Sequence, residues 1–163
     1  MCGIIFQTSD KKINLTNLID AETFQKHRGP DFQGSKNIVV EEKYLYFSHQ
    51  RLSILDLSSA ANQPMIHDES GSILIFNGEI YNYLELKEDL KKFHINFKTT
   101  SDTEVLLYYL IYFGPEITCK KLDGMWSFVF YDMIKNTVFF SRDRCGEKPL
   151  YYHIDDQTLT VAS

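Results

Sequence analysis

Cys2 follows the initiator Met1 directly, and this position can do chemistry. Once Met1 is removed, one residue carries both a thiol and a free α-amine. An α-amine titrates near ~7.7–8.0, close to the ideal for a base at neutral pH. Nucleophile and base on one residue is the logic of an N-terminal nucleophile. Taken alone, a bland reading prevails: a small cysteine opening an edge strand, buried as cysteines often are. Asn77-Gly78 follows a strand-like run and offers a side-chain amide and a backbone N–H. Donors of this kind, aimed at a developing oxyanion, are worth ~2.7–4 kcal/mol each, but Asn-Gly is equally a hairpin turn. Arg51 presents the planar fork that suits a carboxylate, or is simply a surface residue at a strand end. Asp102 opens a helical run, where the local dipole favours its charge.

The elements that must position these residues read as short strands interrupted by few helices. Runs rich in β-branched and aromatic residues lie at Gly3–Phe6, Asn37–Val40, Leu45–Ser48, Ser72–Phe76, Trp126–Tyr131, Thr137–Ser141, Leu150–His153 and Thr158–Ala162. Glu41-Glu42-Lys43, Asp132–Asn136 and Asp155-Asp156 read as hairpin connections. Helical patterns occupy about Thr16–His27, Tyr83–Phe93 and Asp102–Phe113. The last opens on a capping box in which Ser101 caps the backbone and Glu104 reaches back, and Leu106, Leu107 and Leu110 give it a core face. Antiparallel hairpins with few interleaved helices favour an α+β layered domain over a doubly wound sheet.

Composition narrows the function classes. The chain has 163 residues, 44% hydrophobic and 24% charged, the balance of one globular domain. Seventeen Lys and Arg face 22 Asp and Glu, a formal charge of -5. With no basic stripe to offset that charge, nucleic acid is a poor partner. The longest apolar run, Val105–Phe113, is far below the roughly 18 residues of a membrane span. MCGIIF lacks the basic start of a signal peptide. The three cysteines, Cys2, Cys119 and Cys145, are odd in number and fit a reducing cytosol. Histidines are scattered without HExxH or paired-cysteine spacing, so no metal site is expected. No phosphate-cradling glycine loop is present. The sequence stops at Ser163, at the end of a strand, as an excised domain would.

Eight segments in order change the balance at Cys2: MCGIIF, HRGPD (His27–Asp31), HQRLSILD (His49–Asp56), NQPM (Asn62–Met65), FNGEIYNY (Phe76–Tyr83), SDTEVLL (Ser101–Leu107), LDGMWSFVFYD (Leu122–Asp132) and RDRCGEKPLYY (Arg142–Tyr152). This series resembles the class II glutamine amidotransferase domain of glutamine-hydrolysing asparagine synthetases. It spans practically the whole chain, residues 1–163. The resemblance implies an N-terminal-nucleophile fold, a four-layer αββα sandwich of two antiparallel sheets flanked by helices. It implies that Cys2 attacks the side-chain amide of L-glutamine and that Asn77 and Gly78 form the oxyanion hole. It assigns the α-carboxylate of glutamine to Arg51 and the α-amino group to Asp102 and Glu79. The backbone of Arg51, Leu52, Ser53, Ile54 and Leu55 is expected to line the same pocket.

By the same resemblance this domain needs no cofactor, while ATP and Mg2+ belong to a C-terminal synthetase domain that makes asparagine from aspartate and is missing from this chain. A homodimer is compatible with it, and the compartment is the cytoplasm. Three rival readings stay open: an amidotransferase for another acceptor such as a sugar acid, a non-catalytic glutamine-binding module, and an autoprocessing hydrolase acting on other amides. HRGPD reads as a turn after a helix and RDRCGEKPLYY as a loop between strands.

Overall fold

The computed structural model describes residues 1–163. Its first sheet runs in the order β2 (Phe32–Val40), β3 (Lys43–Arg51), β1 (Gly3–Ser9), β9 (Thr158–Ala162) and β8 (Tyr151–Ile154). The second runs β4 (Met65–Ile66), β5 (Ile73–Ile80), β6 (Gly124–Asp132) and β7 (Thr137–Arg142). Every strand pair is antiparallel.

The period-2 alternation of strand side chains decides what lies between the sheets. Ile4 and Phe6 of β1, Leu45 and Phe47 of β3, Ile73 and Ile75 of β5, Val129 and Tyr131 of β6, and Val161 of β9 form one buried layer. Their alternates face outward. Ile5 and Tyr46 pack with Leu18 under α1 (Leu15–Gln25). Leu74, Phe76, Ile80, Trp126, Phe128 and Phe130 pack with α2 (Tyr83–Leu90) and α3 (Asp102–Phe113). The result is the four-layer αββα sandwich. No helix is long and apolar enough to cross a membrane.

All eight expected strands form, and the hairpins fall where they were read. Glu41 and Glu42 both take positive φ, 48° and 69°, between the paired Val40 and Lys43, the twist a two-residue hairpin requires. Differences lie at edges and ends. The α1 pattern breaks into a 3-10 turn at Lys26–Arg28, and α2 does so at Lys91–Phe93. A fourth helix, α4 (Pro115–Lys121), follows α3 with Gly114 as its cap at φ 78°. Gly-Pro reads in sequence as a stop; here it both ends α3 and starts α4. The two-residue β4 was also unforeseen.

The capping box forms by half. Ser101 Oγ accepts the Glu104 N–H at 3.3 Å, but the Glu104 carboxylate turns to Lys98 N (2.9 Å), Thr99 N (2.7 Å) and Thr99 Oγ1 (2.7 Å). It therefore fixes the turn before α3 rather than the cap residue itself.

Candidate active site

Asn77 and Gly78 correct the sequence reading first. They do not sit at a turn: β5 continues through them to Ile80, pairing Asn77 with Ser127 and Gly78 with Trp126. The free donors arise from the sheet edge instead. β4 covers the outer edge of β5 only at Ile73 and Leu74, so beyond Leu74 that edge must find other partners. Phe76 N–H donates to Gln63 Oε1 at 2.7 Å, and Ile80 N–H donates to Asp102 Oδ2 at 2.9 Å. The Phe76 carbonyl meets His49 Nε2 at 3.0 Å. Backbone groups of a strand alternate between its two edges. Gly78, midway between Phe76 and Ile80, therefore turns its N–H to this same edge, into an open cavity.

That cavity, about 120 Å³, is lined by Met1, Cys2, Arg51, Leu52, Ile54, Leu55, Gln63, Asn77, Gly78, Glu79, Asp102, Met125 and Lys148, among others. It gathers every residue expected at the site except Ser53. Ser53 donates its N–H to Asp31 Oδ2 at 2.7 Å and lines a separate open depression with Asp31 and Phe32. Its part is to fasten the Arg51–Leu55 loop to the HRGPD turn.

Cys2 precedes β1, and its Sγ accepts the Leu52 N–H at 3.3 Å. Burial pushes its thiol pKa up, while the Leu52 N–H, the N-terminal charge, Arg51 and Arg28 act in the opposite direction. HRGPD is thus more than a turn. Gly29 lies so close to β3 that a Cβ there would sit 2.2 Å from the Gln50 carbonyl oxygen, which brings the Arg28 charge within reach of Cys2. Met1 is 58% exposed and borders the cavity. While it remains attached, the Cys2 nitrogen is an amide and no base.

Asn77 is 1% exposed and shares the inward face of Ile73 and Ile75. Its Nδ2 reaches Ser127 Oγ only at 3.5 Å, which leaves an N–H for the cavity. At Gly78 a Cβ would lie 2.2 Å from the Met125 carbonyl oxygen, so only glycine permits this approach of β5 to β6. His49 is fully buried, and burial lowers its pKa to about 3. A neutral ring facing a carbonyl must carry its proton on Nε2, so His49 donates to Phe76 and holds the edge straight.

Arg51 stands in the cavity wall, and its guanidinium is also tied to the loop that follows β3. Its Nη1 donates to Ser58 O (2.9 Å) and Asn62 Oδ1 (2.7 Å), and its Nη2 donates to Asp56 O and, at 3.5 Å, to Leu55 O. The fork thereby organises the loop after β3 from its place beside the cavity. Only the long Leu55 contact is readily given up.

Asp102 is 6% exposed at the first turn of α3. Burial raises its pKa to about 6, with the Glu79 charge adding and the Ile80 and Thr103 N–H groups opposing. Its Oδ2 is committed to Ile80, and Oδ1 has only Thr103 Oγ1 at 3.5 Å. One oxygen therefore remains for a cation, with the Glu79 carboxylate near it.

Gln63, His49, Arg28 and Lys148 were missed as site residues. Gln63 lies in NQPM and Lys148 in RDRCGEKPLYY, segments whose order was legible while their contacts were not. Asp143 explains the second segment. Its carboxylate accepts backbone N–H groups of Cys145 (3.1 Å), Glu147 (2.9 Å), Lys148 (2.9 Å) and Trp126 (3.3 Å). Burial pushes its pKa up, but these donors outweigh it and hold the carboxyl below the ordinary value. Arg142 Nε closes the loop on Lys148 O at 2.7 Å.

A thiol at the second residue, a free strand-edge N–H and a side-chain amide share one cavity inside the αββα sandwich, an arrangement that could attack an amide carbonyl and hold the charge that develops on its oxygen. The fold agrees with solved structures: a Bacillus subtilis glutamine phosphoribosylpyrophosphate amidotransferase superposes with a TM-score of 0.76 over 98% of this chain and 41% of that one, at 18% identity. The model of the glutamine amidotransferase domain family matches residues 1–163, and the chain belongs to that family. Among curated relatives, glutamine-hydrolysing asparagine synthetase 1 of Bacillus subtilis is 40% identical over 80% of this chain and 20% of its own length. The glutamine-hydrolysing asparagine synthetase of Zea mays is 36% identical over 93% of this chain and 25% of its own. The chain thus spans well under half the length of these relatives.

Proposed function

We propose that this domain performs the glutaminase step of an asparagine-synthetase-type enzyme. The observation that carries the proposal is the single cavity in which Cys2 Sγ, Asn77 and the unpaired edge of Gly78 meet two carboxylates, Glu79 and Asp102. After loss of Met1, the Cys2 amine takes the thiol proton and Sγ attacks the glutamine side-chain carbonyl carbon. The resulting oxyanion accepts hydrogen bonds from Asn77 Nδ2 and Gly78 N–H. The C–N bond breaks as the Cys2 ammonium returns its proton to the leaving ammonia. Water then hydrolyses the thioester to glutamate and regenerates the thiol. Asp102 and Glu79 receive the substrate ammonium, which selects an α-amino acid over a plain amide.

We further propose that a C-terminal ATP- and Mg2+-dependent domain consumes the ammonia to form asparagine in the cytosol; the relatives' names, glutamine-hydrolysing asparagine synthetases, support asparagine as the product. None of the steps above needs a cofactor. The test is glutamate release by the Met1-processed protein and its Cys2→Ala variant. The variant should bind glutamine yet release no glutamate, whereas Cys119→Ala and Cys145→Ala should turn over normally. Glutamate release by Cys2→Ala at the parent rate would sink the mechanism.

A further inference from the structure

The loop after β3 is hydrogen-bonded to the turn before α3 through Asp56 alone. Its carboxylate is divided between the two. Oδ1 accepts the Ser58 N–H at 2.9 Å within the loop, and Oδ2 accepts the Thr100 N–H at 2.7 Å and the Thr100 hydroxyl at 3.3 Å across it. Hydrogen bonds from Ser58 and Thr100 lower its pKa to about 2, so the group is charged at neutral pH. The Asp56 backbone takes φ 54°, a left-handed conformation that Asp and Asn enter more readily than other non-glycine residues. Its carbonyl accepts from Arg51 Nη2.

Each side of this link is braced independently. Arg51 is held by Asp56 O, Ser58 O and Asn62 Oδ1. The turn at Thr100 is fixed by the Glu104 carboxylate through Lys98 N and Thr99 N, and Asp102, two residues on, is fixed by Ile80 N. Arg51 and Asp102 both stand in the wall of the Cys2 cavity, whereas Asp56 and Thr100 do not. The Asp56–Thr100 link therefore sets how far apart two otherwise rigid walls stand. An α-amino acid carries its ammonium and carboxylate at a fixed separation, and a site that grips both gains most when its own contacts are held at that separation in advance. We propose that Asp56 is a positioning residue that fixes the span between the Arg51 and Asp102 walls and so makes the site selective for a complete α-amino-acid head group. The proposal rests on the glutaminase reading above.

The experiment uses the protein processed at Met1 and its Asp56→Gly and Asp56→Asn variants. Glycine accepts the positive φ and removes the carboxylate; asparagine keeps one acceptor oxygen. KM and kcat are measured for L-glutamine. Ki is measured for two competing ligands with half a head group each: L-glutaminamide, which lacks the α-carboxylate, and 5-amino-5-oxopentanoate, which lacks the α-amine. Asp56→Gly should raise KM for glutamine by a factor of roughly 10, the effect of losing a charge-assisted hydrogen bond. Its kcat and both Ki values should stay close to the parent's, because each wall keeps its own braces. Asp56→Asn should fall between parent and glycine variant, and decides by the same pattern should the glycine variant fail to fold. An equal rise in KM and both Ki values would make Asp56 a general brace of the loop and overturn the proposal. An unchanged KM, or a loss confined to kcat, would overturn it as well. Absence of glutamine hydrolysis by the parent would instead remove the glutaminase reading, and the proposal with it.

Discussion

Asp102→Asn should stabilise the fold at neutral pH while damaging glutamine binding. The Asp102 carboxyl is buried, and its pKa rises from an ordinary 3.8 to about 6. Between those values the folded chain holds a proton that the unfolded chain has lost, so stability falls as pH rises through this window. The gap corresponds to about 3 kcal/mol, at about 1.4 kcal/mol per pH unit. This cost is absent below 3.8 and fully developed above about 6. Asparagine carries no such charge, yet its side-chain oxygen can still accept the Ile80 N–H that Asp102 Oδ2 accepts at 2.9 Å. Urea unfolding of parent and variant at pH 4, 5, 6 and 7.5 isolates the effect, because shared carboxylates cancel in the difference. The variant should match the parent at pH 4 and exceed it by about 3 kcal/mol at pH 7.5. Calorimetry at pH 7.5 should show weaker glutamine binding by the variant. A variant less stable at pH 7.5, or a stability difference independent of pH, would refute the reasoning that Asp102 is held charged against its surroundings for the sake of a ligand.

Three other outcomes follow from the geometry. Protein retaining Met1 should fold normally but hydrolyse glutamine negligibly, since its Cys2 nitrogen is an amide; mass spectrometry paired with a glutaminase assay checks this, and equal activity of both forms would exclude the α-amine as base. Gly78→Ala forces a Cβ to 2.2 Å from the Met125 carbonyl oxygen, so β5 must shift; a loss of about 1–3 kcal/mol or more together with loss of turnover is expected, and an unchanged melting curve would contradict the close approach. Asp143→Ala strands several backbone N–H groups; thermal unfolding should report a loss of about 1–3 kcal/mol or more, and KM for glutamine should rise because the loop carrying Lys148 loosens.

Much of the site was legible in the chain because covalent order and local chemistry fix it. The thiol and amine of Cys2 share one residue, the alternation of β1, β3, β5 and β6 dictates which side chains meet between the sheets, and Ser101 announces the start of α3. The ordered segments named the family without any contact being known. What remained hidden depends on neighbours far apart in sequence. Asn77-Gly78 carries the local signature of a turn, yet the pairing of β5 with β6 extends the strand through it. Its edge N–H is left open only because β4 stops short and Gln63, His49 and Asp102 cap the groups on either side. The planar fork of Arg51 suits a carboxylate, but the fold closes loop carbonyls around it. Lys148 reads as one more charge in a surface loop until Asp143 and Arg142 pin that loop over the cavity. Residue type sets what a side chain can donate or accept; only the assembled sheets and loops decide which of those capacities are already used and which face the ligand.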